Sequence, residues 1–151
     1  MKRLLFLLMV SFFLLSGFEH QDDLEIVNIE TTVIESQKTL RYDFEIKNTS
    51  SERVGGEFDY PGHNIYGMEL VVIPGKKLEP LMEMETGTKY KKMKPSGFGG
   101  SGFIRPNGVG KFHAEYHFKE EKDLEKVREF ALNATLRILH GTNIIAELPL
   151  K

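Results

Sequence analysis

Cysteine is absent from the 151 residues. That removes disulfide staples, thiol nucleophiles and every zinc site that needs a thiolate, so a domain of this size must hold together by burial alone. Long amphipathic helical patterns are also missing, which argues against an alternating βαβ architecture. No Gly-x-Ser-x-Gly elbow is present to mark a hydrolase nucleophile. The glycine-rich stretch SGFGGSGF lacks the Gly-Lys-Ser/Thr ending of a phosphate-binding loop, and no H-E-x-x-H occurs. No motif calls for a cofactor. A large excess of either charge is missing as well: 20 basic residues stand against 22 acidic ones, a formal net charge of −2. Such a chain is a poor nonspecific binder of nucleic acid or of anionic lipid.

What is present begins at the amino terminus. Lys2 and Arg3 precede an apolar run from Leu4 to Leu15, broken only by Ser11, and small residues follow at Ser16 and Gly17. Charged, apolar, small is the order of a secretory signal. The run falls short of the roughly 20 apolar residues of a membrane span. Residues 1–17 therefore read as a signal peptide, or as an amino-terminal anchor if left uncleaved, and the expected location is secreted or cell envelope. Contact with a membrane is expected only if the leader stays. No cysteine follows the run, which excludes a lipid-modified lipoprotein. Removing Lys2 and Arg3 with the leader leaves 18 basic against 22 acidic residues, a charge of −4.

The remainder alternates. In LRYDFEIKN, residues 40–48, Leu40, Tyr42, Phe44 and Ile46 face one way and Arg41, Asp43, Glu45 and Lys47 the other, the period of a half-buried strand. LEIVNIETTVI, residues 24–34, is rich in β-branched residues; its alternation slips near Asn28, which predicts a bulge or a change of sheet. IYGMELVVI, residues 65–73, reads as a strand closed by Pro74-Gly75, with KLEPLMEM as its antiparallel neighbour. Residues 90–102 read as a long surface loop. A Pro-Asn-Gly turn then launches GKFHAEYHFK as a strand. Residues 120–131 carry Leu124, Val127, Phe130 and Ala131 at helical spacing, a short insert between strands. ALNATLRIL and IIAELPL form a closing hairpin around HGTN. About seven or eight short strands with rows of large apolar residues predict an all-β fold, an immunoglobulin-like antiparallel sandwich over residues 24–151.

The stretches LRYDFEIKNTSSERV, YGMELVVIPGKK and IRPNGVGKFHAEYHF, taken in order, resemble small secreted bacterial immunoglobulin-like domains. Their layout is similar to that of the BsuPI proteinase-inhibitor family, over roughly residues 24–150. The resemblance implies a sandwich and an inhibitor-like role; it assigns no functional residue.

Two groups of side chains are candidates for function. Phe58, Tyr60, His63 and Tyr66 lie in FDYPGHNIYG, residues 58–67, where exposed aromatics would give large contact area at low entropic cost. They are the expected binding residues for an unidentified protein partner outside the cytoplasm. His113, Glu115 and His117 share the polar face of KFHAEYHF and are remote candidates for a metal. Residues two apart on a strand lie about 6.5–7 Å apart and residues four apart about 13 Å, so the two histidines do not reach one ion, and a third ligand would come from His63 or His140. The function expected is thus a noncatalytic extracytoplasmic binding module, inhibitor-like towards proteases. The alternative is an envelope metal-binding protein or enzyme that uses its surface histidines.

Overall fold

The computed structural model describes residues 17–56, 67–87, 91–120 and 123–151. The leader up to Ser16 and the whole of the candidate set Phe58, Tyr60, His63 and Tyr66 lie outside the described residues.

Nine strands and one α-helix are present among the described residues. In chain order they are β1 (Leu24–Ile34), β2 (Thr39–Asn48), β3 (Val54–Gly55), β4 (Met68–Pro74), β5 (Pro95–Gly100), β6 (Phe103–Ile104), β7 (Val109–His117), α1 (Leu124–Phe130), β8 (Ala134–His140) and β9 (Asn143–Pro149). One antiparallel sheet has the order β1-β2-β7-β5, a second has β4-β8-β9, and β3 pairs with β6 in a short ribbon. Lettering the seven main strands A to G along the chain gives A-B-E-D and C-F-G. That is the strand order of an immunoglobulin constant-type sandwich. The fold is all-β and immunoglobulin-like, as the alternation predicts.

The alternating rows become the inner faces. Leu40, Tyr42, Phe44 and Ile46 of β2 and Phe112, Ala114 and Tyr116 of β7 are buried from one sheet. Leu70 and Val72 of β4, Leu136 and Ile138 of β8, and Ile145 and Ala146 of β9 are buried from the other. All belong to one apolar cluster. Two phenols cross this interior. Tyr116 Oη accepts from the Val72 backbone N–H at 2.9 Å, tying the first sheet to the second. Tyr42 Oη donates to the Ala131 carbonyl at 2.7 Å, tying β2 to the end of α1. The Tyr42 ring stacks on Phe44 and meets Tyr116 edge-on. Antibody domains place a disulfide between strands B and F; here aromatic and aliphatic packing fills the interior instead.

Several local expectations hold. The pairing of β1 with β2 shifts between Ile26 and Asn28, a bulge that turns Val27 outward. The turn before β7 closes with Gly108 N–H donating to the Arg105 carbonyl at 3.0 Å, and Asn107 takes φ 55°. Helix α1 is capped by Asp123, whose carboxylate accepts from the Glu125 N–H at 3.0 Å, and it buries Val127. The β8–β9 hairpin turns through Gly141 at φ 62°.

Two expectations are corrected. KLEPLMEM is not a strand beside β4. Pro80 lies in the first turn of a 3-10 segment, Glu79–Leu81, and β4 pairs with β8 instead. Met82 and Met84 then make single bridges to Phe118 and Met93. The glycine-rich stretch is not a loop: β5 is an edge strand hydrogen-bonded along β7. Glycine carries no side chain to alternate, so its own pattern is silent, and the strand is imposed by the β7 backbone.

Candidate functional site

The polar face of the first sheet holds the metal candidates. Pairing places Asp43 opposite His113, Arg41 opposite Glu115 and Thr39 opposite His117. The Arg41 guanidinium grips Asp43 with two bonds, Nε to Oδ2 at 2.8 Å and Nη2 to Oδ1 at 2.7 Å. Its third bond goes to Glu115 Oε1 at 2.8 Å. One row down, Lys111 pairs with Glu45 at 2.9 Å. The hydrogen bond from Arg41 holds the Asp43 carboxyl below the usual carboxylate range, against the opposing pull of desolvation, and Asp43 in turn raises the Arg41 guanidinium. Glu115 is therefore committed to a cation on the neighbouring strand.

His113 and Glu115 both lean over β5. A methyl group added at Gly99 would stand 2.6 Å from His113 Cε1, and one at Gly97 would stand 3.3 Å from Glu115 Oε2. The glycines of β5 make the space those two side chains occupy. His117 sits at the far end of β7, where its N–H donates to the Lys94 carbonyl at 3.0 Å. His140 is at the tip of β8, in the other sheet. The structure thus keeps His113, Glu115 and His117 on one face, as the alternation predicts, without gathering them on one point. Among the described residues no three of His, Asp and Glu come together as a metal-binding group.

The second candidate is the end of the sandwich from which residues 57–66 depart. Gly56 and Gly67 bracket that segment, and their backbones touch: a methyl on Gly67 would collide with the Gly56 carbonyl oxygen. The same methyl would stand 2.8 Å from His140 Nε2. Gly141 N–H donates to the Gly67 carbonyl at 3.2 Å. Gly55, at φ 82°, faces Met68 and the Gly102 carbonyl, with 2.6 Å and 2.8 Å left for a methyl. Beside them Arg53 lies over the Phe103 ring at 5.4 Å. Glycines thus let the ends of β3, β4 and the β8–β9 hairpin meet backbone to backbone. Phe58, Tyr60, His63 and Tyr66 belong to a segment whose two flanks are clamped at this one place.

A feature that the sequence left unread is Phe98. It stands on β5 opposite Ala114 and is 69 % exposed, the most exposed of the large apolar side chains among the described residues. Its signal was present but faint: residues 95–104, PSGFGGSGFI, form a ten-residue run with no charged side chain.

Among the described residues no helix is long and apolar enough to cross a membrane. No family model, no curated protein and no solved structure matches this chain.

Proposed function

We propose that the chain is a noncatalytic binding module that works outside the cytoplasm and recognises a protein partner in the manner of small proteinase inhibitors. The observation that supports this reading is the clamp between Gly56 and Gly67. It fixes both ends of an aromatic-rich ten-residue segment to a rigid two-sheet frame, beside the β8–β9 hairpin. Immunoglobulin-type binding sites are built the same way, from loops at one end of the sandwich. The amino-terminal sequence supports export, and the resemblance to the BsuPI layout supports an inhibitor-like role. The polar residues of the β2–β7 face act as cross-strand ion pairs in this reading.

The test is recovery of a partner. The protein, affinity-tagged and expressed from its full coding sequence, is used to capture proteins from culture supernatant and from envelope extracts, and is assayed against a panel of extracellular proteases. We expect a captured protein or an inhibited protease, and loss of either by at least tenfold in Tyr60→Ala or Tyr66→Ala with the melting temperature unchanged. No capture and no inhibition across the panel, or capture indifferent to both substitutions, would sink the reading.

A further inference from the structure

We propose that β5 is a self-association edge, through which two copies of this chain pair antiparallel about Phe98 and join their four-stranded sheets into one of eight.

An edge strand offers a row of unpaired backbone groups, and proteins guard such edges with charge, proline, bulges or cover. The two larger sheets have four outer edges, those of β1, β5, β4 and β9. β1 is guarded by its bulge at Val27 and by the exposed Glu25 and Glu30. β9 carries Glu147 and ends in Pro149. On β4 the Val72 N–H is already taken by Tyr116, and Glu69 is exposed. β5 is guarded only at its start, by Pro95 and an irregularity between Pro95 and Gly97. From Gly97 to Gly100 it has neither charge nor proline nor bulge.

The stretch is also complementary to itself. Gly97-Phe98-Gly99 reads the same in both directions. When two such strands run antiparallel with Phe98 opposite Phe98, each Gly97 faces a Gly99. On the outer face the paired glycines bring no side chains of their own, and Glu115 over Gly97 of one copy comes beside His113 over Gly99 of the other; the two exposed rings meet on the inner face as a cross-strand aromatic pair. The uncharged run from Pro95 to Ile104 brings no like charges together along the seam. A partner of unrelated sequence has no such match in this strand, so a second copy is the occupant we assign.

The contact is small. Phe98 contributes at most about 150–250 Å², and with a short strand each copy covers less than the roughly 800 Å² per partner of a standard interface. The dimer is therefore weak, filling at about 0.1–1 mM.

Sedimentation equilibrium of the protein purified from expression of the full coding sequence, from about 10 µM to about 1 mM, reads the association directly. Dimer should accumulate with concentration, and Phe98→Lys, which sets two ammonium groups face to face, should weaken it at least tenfold. A second readout does not depend on that variant folding. In a chain without cysteine, Phe98→Cys supplies a unique thiol, which a short thiol-specific crosslinker should join into covalent dimer much faster than Val109→Cys, an exposed position on β7. A chain that stays monomeric at about 1 mM would overturn the proposal. So would a dimer indifferent to Phe98→Lys, or one that crosslinks faster at Val109→Cys than at Phe98→Cys.

Discussion

Tyr116 on one sheet accepts, through its buried hydroxyl, the backbone N–H of Val72 on the edge of the other, at 2.9 Å. The bond satisfies an edge amide that the sandwich interior would otherwise strand. Tyr116→Phe should cost about 1–3 kcal/mol, the penalty of an unpaired buried donor, measured as a lower urea midpoint with an unchanged slope. The same geometry sets an alkaline limit. Burial pushes the Tyr116 phenol up to about 12 from its ordinary 10.0, with the Val72 bond pulling the other way and Glu69 adding a smaller rise. Tyr42 is raised further, by burial first and then by Tyr116. An acid whose folded pKa is raised gives its full stabilisation below the unfolded value and loses it as pH climbs through the folded one. Stability should therefore hold to about pH 10 and fall towards pH 12. Tyrosinate absorbance of these two rings should appear together with unfolding, and titration of both in a still-folded protein would contradict this.

Asn48 is fully buried at the end of β2 and ties three segments together. Its Nδ2 donates to the Glu52 carbonyl at 2.7 Å and reaches the Ile104 and Arg105 carbonyls at 3.3 and 3.2 Å, while Oδ1 accepts from the Ser50 N–H at 3.0 Å. Asn48→Ala should destabilise by about 2–4 kcal/mol. Asn48→Asp should be worse, because it sets a carboxylate against carbonyl oxygens. Thermal melts of both variants would check the order, and an Asp variant as stable as wild type would refute it.

Asp43 is a milder case. Its bond to Arg41 lowers its pKa, so the stabilisation is present above the unfolded value of 3.8 and is lost as pH falls below that. The side chains of the pair are 33 % and 41 % exposed, so water screens the gain. Asp43→Asn should cost about 0.5–1 kcal/mol at neutral pH and nearly nothing in strong acid. Urea midpoints for both proteins at pH 7 and in strong acid would show the gap closing; a gap that widens in acid would count against it.

The strands that could be recognised in advance are those whose own side chains alternate. LRYDFEIKN declared β2 and its buried face, and the slip near Asn28 declared the bulge. Strand order was not legible, because hydrogen bonding between β2 and β7 joins residues some seventy positions apart. For the same reason the shared face of His113, Glu115 and His117 could be read along one strand, while the capture of Glu115 by Arg41 could not. KLEPLMEM misled because its alternation is genuine, yet Met82 and Met84 answer to Phe118 and Met93 instead of to β4. β5 was hidden by the glycines that admit His113 and Glu115 above it.

Because Gly56 and Gly67 touch, two positions eleven residues apart in the chain stand side by side at one end of the frame. That contact is main chain against main chain, so a side chain added at Gly67 is felt at Gly56 as well. Gly67→Ala would therefore pry the two positions apart and strain the frame at β3, β4 and the β8–β9 hairpin together.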